Sequence, residues 1–427
     1  MSLSRVVIVG GGFGGLYAAR ELNGAPVHVT LIDKRNYHLF RPMLYQVASG
    51  LLSQDEIAMP LRSIFSRQRN VDVFMDEVVG IDPAGSMVHL HDRDIPYDYL
   101  ILSTGIHYNY FGHDEWREFA IPLESLERAE VIRAKVLGAF EKAEEMAAAG
   151  KASPVELQRL LTFVLVGAGT VGVEMAGTLA EMFHMALKRD FRYIDPRSAR
   201  ILLYEAGPRI LPTYHPHLSL RAQRHLESLG VEVRTNARVT LVDREGVTSN
   251  EGRVLASTVI WGAGVIASSA AKWLNAPTDA SGKIMVQPDF SVPNYPKIFA
   301  IGDTAHVVAP ARNLIGIRLR TPMELPGVAQ PAIQEGKYVA RLIKSRVMGR
   351  SSPAAFWYWD KGDLAIVGRT YAVADLRFVR FAGFPAWFVW ASVHIYFLIG
   401  FANRLFVLLQ WAFAFLTKRR RGRVLYS

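Results

Sequence analysis

The chain has 427 residues, 50% of them hydrophobic, 21% charged and 34 of them glycine. That mix excludes a single small module, a disordered chain and a fibrous one, and points to two or three ordered domains of α/β class. Cysteine is absent, which removes disulfide scaffolds, thiolate zinc sites, cysteine nucleophiles and dithiol redox mechanisms, so redox chemistry requires a bound cofactor.

Residues 5–9 read as a short buried strand that runs into glycines rather than into a cleavage site, so the amino terminus is expected to be folded and cytosolic. After the glycines come an Ala/Leu-rich helix over 16–22 and a strand over 27–32 that ends in Asp33-Lys34, which completes a βαβ unit. The glycine run contains G-x-G-x-x-G. Gly10 permits the tight turn, Gly12 lets backbone approach a pyrophosphate, Gly15 lets the helix pack on the strand, and the helix N-terminus faces the phosphates. Asp33 stands where an acid bonds an adenosine ribose. Later in this half, an apolar strand stops at Thr104-Gly105. Residues 117–151 are helical in pattern and are expected to link the halves.

The same grammar then returns, with a strand over 162–166, glycines at Gly167, Gly169 and Gly172, a long helix to about residue 186, and a strand over 200–204 that ends at Glu205. The interval to Glu205 exceeds the roughly 20 residues usual for this motif. An acid there repels a 2′-phosphate, so NADH is favoured over NADPH. The strand that closes this half stops at Gly264, and another buried strand ends at Gly302-Asp303. Residues 326–343 form a predicted helix carrying Gln330 and Gln334 on one face, with Pro331 in its first turn, and residues 353–383 alternate in a β-like way.

From residue 341 onward the chain holds 14 Lys/Arg against three acids, and five of its eight tryptophans. The formal charge of +10 is therefore a property of the tail, and basic residues among aromatic and apolar ones suit an anionic bilayer surface rather than nucleic acid. Residues 386–417 are almost wholly apolar and are closed by Lys418-Arg-Arg-Arg421, but the run before Asn403-Arg404, 386–402, is interrupted by Ser392 and His394 and is short for a membrane span. At about 100° per residue, Ser392, Asn403 and Gln410 share one stripe, which predicts helices lying in the membrane interface, a monotopic attachment. Neither a metal-ligand motif nor a G-x-S-x-G is present, so no metal and no hydrolase are expected.

Two dinucleotide motifs in one chain call for one bound carrier and one exchanging donor. Over essentially its full length the chain resembles the type II NADH dehydrogenases, the single-subunit NADH:quinone oxidoreductases. The resemblance lies in the first glycine motif, His38 to Gly50 (HLFRPMLYQVASG), Gly167 to Glu174, Ile298 to Asp303, Ala329 to Gly336 (AQPAIQEG), Lys361-Gly362 and the Trp-rich tail.

The resemblance implies non-covalent FAD on Gly10, Gly12, Gly15, Asp33, Lys34, Thr104, Gly105, Gly302, Asp303, Ala329 and Gln330, with Asp303 on the ribityl chain. It implies NADH on Gly167, Gly169, Gly172, Glu205 and Gly264. Glu174 is implied beside the nicotinamide and flavin, Gln330 and Gln334 at a quinone carbonyl, and Lys361 at the quinone mouth. By residue type alone, Glu174 is equally a helix-N-terminal glutamate, the glutamines a solvated face, and Lys361 a turn lysine.

The expected architecture is a discontinuous FAD domain (1–125 and 290–345), an inserted NADH domain (126–289), both Rossmann-like, and a C-terminal membrane-anchoring helical region (346–427). The expected function is hydride transfer from NADH to FAD and then two electrons to a membrane quinone, without ion pumping, at the cytoplasmic face of the membrane. A homodimer is allowed for. The rivals are a membrane-tethered NADH-binding flavoprotein sensor and a reductase of a protein acceptor such as ferredoxin. A sulfide:quinone oxidoreductase is excluded, because its mechanism needs cysteines.

Overall fold

The computed structural model describes residues 3–425 apart from 152, 189, 418, 419, 421 and 423. The flanking Lys418, Arg419 and Arg421 of the basic run thus lie outside the described residues. The chain divides into two compact units: Met1–Leu39, Ala58–His107 and Val265–Lys361 form the first, and Phe40–Ile57, Tyr108–Gly264 and Gly362–Ser427 the second.

The first unit is built on a six-stranded sheet in the order Ser291–Val292, Tyr295–Ala300, Tyr99–Leu102, Ser4–Val9, Val27–Asp33, Val71–Met75. All but the first of these run parallel. Parallel strands are covered on both faces and so read as continuous apolar runs, and Val6 to Val9 are all buried accordingly. The helices Phe13–Glu21 and Ala329–Val347 pack against each other. They meet so closely that a Cβ on Gly336 would lie 2.3 Å from the Gly14 carbonyl oxygen.

The second unit repeats the plan with five parallel strands in the order Ala120–Pro122, Thr258–Trp261, Thr162–Val166, Arg200–Tyr204, Val231–Arg234. Its helix Thr170–Glu181 runs on into a π-helical turn, Met182–Ala186, so the long helix expected to residue 186 is present in two forms. A second antiparallel sheet (Asp363–Ile366, Ala372–Asp375, Arg380–Gly383) packs on that helix and leads into two apolar helices, Phe384–Phe397 and Phe401–Thr417. The contact is tight: a Cβ on Gly177 would lie 2.7 Å from the Gly368 nitrogen.

Three expectations change. The stretch 117–151 is not one linking helix. It contains the strand Ala120–Pro122, followed by the helix Leu126–Ala148, whose N-cap Ser125 accepts from the Arg128 amide. A three-residue strand ending in proline carries no periodicity to detect.

The expected domain limits at 125, 289 and 345 differ from the compact units, which change over after 107, 264 and 361. Ala120–Pro122 pairs within the second sheet, Ile284–Met285 pairs with Ala305–His306 in the first unit, and residues 362–427 cluster with the second unit.

Finally, the apolar run 386–402 is broken. Leu398 leaves helical geometry at ψ 131°, and Gly400 has φ +93°, so Ser392 sits on one helix and Asn403 and Gln410 on the next, and no shared stripe exists. No helix among the described residues is long and apolar enough to cross a membrane.

The last helix, Phe401–Thr417, is tied down along its length. The Trp411 indole donates to Gln46 Oε1 at 2.7 Å, Asn403 donates to the Asp55 carbonyl, and Arg369 donates to the carbonyls of Ala414 and Phe415. Beyond the last helix, Arg420 donates to the Ser49 and Thr178 carbonyls, and the Gly422 amide donates to the Gly50 carbonyl.

Candidate functional site

In the first unit the strand Ser4–Val9 ends at Gly10, which has φ +105°, a conformation that favours glycine. A Cβ on Gly15 would lie 1.9 Å from the Gly10 carbonyl oxygen, so helix and turn touch backbone to backbone. Gly12 is the N-cap of the helix Phe13–Glu21, and a Cβ there meets no protein atom within 4 Å. Asp33 Oδ2 accepts from the Gly11 amide at 2.6 Å and Oδ1 from the Arg35 amide at 2.7 Å. Burial raises its carboxyl pKa against the pull of these amides and of Arg35 and Lys34.

Sequence reasoning passed over His38, which lies beside this turn. It is 2% exposed, edge-on to Phe13, and its Nδ1 lies 2.9 Å from the Gly11 carbonyl oxygen. A carbonyl can only accept, so Nδ1 carries the proton, and burial keeps the ring neutral by lowering its pKa to about 4. Nε2 is then a buried acceptor without a hydrogen-bond partner among the described residues. A dinucleotide hydroxyl or amine is the kind of donor that satisfies such an atom. His38 opens the stretch His38 to Gly50 that carries the resemblance, but a role at the glycine turn shows only in its approach to Gly11.

The other predicted residues of this unit converge on one turn. Gly302 has φ +63°, Thr304 Oγ1 lies 3.2 Å from Thr104 Oγ1, and it accepts from the Gly105 amide at 3.0 Å. A Cβ on Gly327 would come within 3.0 Å of Asp303 Oδ1. The Gly302 amide donates to Glu335, a residue the sequence reading did not single out and which is 1% exposed.

Burial pushes the Glu335 carboxyl pKa up to about 7; the Gly302 amide and Lys283 oppose the shift and the charge of Asp303 adds to it. A carboxyl whose pKa is raised in the folded state contributes stability below its unfolded value of 4.5, and that stability is lost as pH climbs to about 7. Against a Glu335→Gln control, the native protein is expected to lose on the order of 3 kcal/mol across that window. Denaturant midpoints at pH 5 and pH 8 check this, and parallel behaviour of the two proteins would refute it.

Ala329 and Gln330 open the helix Ala329–Val347, with Pro331 in its first turn as expected. The two glutamines, equivalent by spacing, differ in the structure. Gln334 spends its amide on Trp359, donating to the backbone carbonyl at 3.1 Å and accepting from the amide at 2.9 Å. Gln330 Oε1 is buried without a partner among the described residues. Lys361 is partly buried, and burial, then Lys337, lowers its ammonium pKa.

The second glycine turn matches the first. Gly167 has φ +97°, a Cβ on Gly172 would lie 1.9 Å from the Gly167 carbonyl oxygen, and a Cβ on Gly169, the helix N-cap, meets nothing within 4 Å. Glu205 Oε2 accepts from the Ala168 amide at 2.9 Å and Oε1 from the Gly207 amide at 2.8 Å. In both turns, then, the acid clasps the amide just after the motif's first glycine, across 22 residues in one and 37 in the other. The π-helical turn and the residues up to Arg200 absorb the difference, so Glu205 stands where Asp33 stands. Gly264, at φ +67°, lies against the Phe111 ring, which a Cβ would meet at 2.4 Å.

Glu174, on the helix Thr170–Glu181, is 5% exposed, so it is not a solvated N-terminal glutamate. Burial pushes its pKa well above the carboxylate range; the Ile366 amide, at 3.4 Å, and the Trp390 indole offset this only in part. Within the same unit is an apolar cavity of about 710 Å³, walled by Trp387, Trp390, Trp411, Tyr45, Gln46 and Glu181 among others. That size is in the range of small-ligand sites.

The open cradles at Gly12 and Gly169, the acid clasps and the orphaned His38 and Gln330 acceptors fit two dinucleotides. Residues 4–336 match the pyridine nucleotide-disulphide oxidoreductase family, and residues 359–420 match the NDH2 C-terminal domain. The type II NADH:quinone oxidoreductase Ndh of Mycobacterium tuberculosis is 42% identical over 97% of this chain and 89% of its own length. An internal alternative NAD(P)H-ubiquinone oxidoreductase A1 of Arabidopsis thaliana is 27% identical over 98% of this chain and 86% of its own. Among solved structures, NDH2 from Plasmodium falciparum in complex with NADH superposes with a TM-score of 0.87 at 22% identity, covering all of both chains.

Proposed function

The chain belongs to the type II NADH:quinone oxidoreductases, within the pyridine nucleotide-disulphide oxidoreductases, and on that premise we propose how its residues divide the work. The enzyme is FAD-dependent and passes electrons from NADH to a quinone without pumping ions. The observation that carries the assignment of residues is the duplicated turn, an N-cap glycine with open space above it and an acid clasping the preceding loop.

Gly10, Gly12, Gly15, Asp33, Lys34, Thr104, Gly105, Gly302, Asp303, Ala329 and Gln330 hold FAD, and His38 Nε2 accepts a hydrogen bond from one of its hydroxyl or amine groups. Gly167, Gly169, Gly172, Glu205 and Gly264 hold NADH. Bound FAD supplies the hydride-accepting ring and the two-electron store, so the chain itself need furnish no acid or base for hydride transfer. Glu174, whose burial favours the protonated carboxyl, donates a hydrogen bond that orients the nicotinamide carboxamide. Gln330 meets the quinone carbonyl and Lys361 steadies the reduced quinone. Gln334 positions Trp359 and the segment leading to Lys361.

Replacing Gln330 by Ala should therefore raise the quinone KM several-fold with flavin retained. Replacing Gln334 by Ala should lower thermal stability as well. Equal kinetic effects without the stability difference would contradict this division.

The exposed Phe384, Phe388, Tyr396, Phe401, Phe406 and Leu416 suit the bilayer interface. Attachment is monotopic, on the cytoplasmic face where NADH is supplied, with the basic tail on anionic lipid. Each buried aromatic contributes roughly 1.5–3 kcal/mol. Phe388→Ser with Phe401→Ser should accordingly cut flotation with anionic vesicles by at least about tenfold, and unchanged flotation would overturn the attachment.

The test of the whole reading is an anaerobic half-reaction. NADH should bleach the flavin and a short-chain quinone should restore it, both at rates matching turnover. Bleaching without return would shift the acceptor from quinone to a protein.

A further inference from the structure

Three side chains in the first unit, none of them used above, meet at one point: Asp279 from the turn before the strand Ile284–Met285, His306 from the strand Ala305–His306, and Glu324 from the strand Met323–Glu324. His306 Nδ1 lies 3.1 Å from Asp279 Oδ2 and 3.6 Å from Glu324 Oε1, and all three atoms fall within 4.8 Å of one another. A tetrahedral zinc ion with bonds of about 2.0–2.1 Å sets its ligand atoms roughly 3.3 Å apart, so the histidine stands at ligand spacing from both carboxylates.

The Asp279 carboxylate is held from behind. Its Oδ1 accepts from the Ser281 amide at 2.8 Å, the Ser281 hydroxyl at 2.8 Å and the Lys283 amide at 3.0 Å. Those three donors load one oxygen and aim the other at His306, the outer support that orients metal-binding carboxylates. Asp279 and His306 are each less than one-fifth exposed at the side chain, whereas Glu324 is 60% exposed.

We propose that Asp279, His306 and Glu324 form a binding site for a divalent transition ion of borderline softness, Zn²⁺ foremost. One imidazole and two carboxylates suit that class, two negative charges balance the ion, and water completes the coordination. The site has a structural consequence. His306 is two residues beyond Thr304, whose hydroxyl accepts from the Gly105 amide, so the ion ties three chain segments to the turn Gly302–Thr304.

Co²⁺ is the probe, because its visible d–d bands report the coordinating atoms while Zn²⁺ is silent. Titrated into the detergent-purified holoenzyme, Co²⁺ should saturate at one ion per chain with a spectrum of mixed nitrogen and oxygen ligands. Added Zn²⁺ should displace it. His306→Asn and Glu324→Gln should weaken binding by at least about tenfold, the low end for even the outer partners of metal ligands. Flavin absorbance in both variants confirms that they are folded. Zn²⁺ should also raise the Tm of the native protein and leave that of His306→Asn unmoved. Absence of saturable binding would leave an ion pair only and overturn the proposal, as would saturable binding that survives His306→Asn.

Discussion

Gly12→Ala is expected to yield a folded chain that binds FAD at least about tenfold more weakly and, without added FAD, turns over about a hundredfold more slowly. The cause can be read separately from folding. A methyl on Gly12 meets no protein atom within 4 Å, and the residue's extended backbone is open to alanine. Any loss therefore comes from the pyrophosphate the turn is shaped to receive. Gly15→Ala makes the contrast, since its methyl would lie 1.9 Å from the Gly10 carbonyl oxygen and must break the turn itself. Gly169→Ala is the counterpart in the second motif and should keep flavin at full occupancy while raising the NADH KM about tenfold. The flavin-to-protein absorbance ratio and steady-state kinetics decide the matter. Full flavin occupancy in Gly12→Ala, or flavin loss in Gly169→Ala, would reverse the assignment of the two motifs.

The second large effect belongs to Glu174. Burial raises the pKa of its carboxyl well above the ordinary carboxylate value, which favours the protonated, neutral form. Glu174→Ala removes the oriented donor and should reduce kcat by about a hundredfold, within the range of a well-placed catalytic group. Glu174→Gln keeps the volume, the neutrality and a donor, so it should retain most of the activity near neutral pH. The two proteins part as pH rises. Because the pKa is raised, deprotonation of the native carboxyl as pH rises should lower activity, and the glutamine variant should show no such limb. A shared limb would assign it to another group, and an inactive glutamine variant would mean that the proton is transferred rather than lent.

Both glycine motifs are legible because each glycine answers a steric demand inside a few residues: positive φ at Gly10 and Gly167, and backbone contact at Gly15 and Gly172. Their acids are legible for the same reason, even across the longer interval to Glu205. What could not be read depended on partners far away in the chain. Gln330 and Gln334 look alike until Trp359 takes up one of them, and Glu335 is distinguished only by the Gly302 amide, 33 residues earlier. Asp279, His306 and Glu324 have no motif spacing because each arrives on a different segment. Hydropathy recognised the greasy tail but not the break at Leu398–Gly400, since apolar side chains are indifferent to the backbone angle there. The short strand Ala120–Pro122 escaped because three residues are too few to show a period.

The last helix is fastened at Asp55, Gln46 and Arg369, and Arg420 beyond it at Ser49 and Thr178, which hold this end of the chain against the body that carries it. A tail so fastened acts as a keel rather than a tether. With the monotopic attachment proposed above, it would set the depth at which the protein rides and give no slack with which to follow a changing lipid. Turnover in vesicles should then be nearly indifferent to acyl-chain length, and a thicker bilayer should leave the enzyme at the same height above its own leaflet.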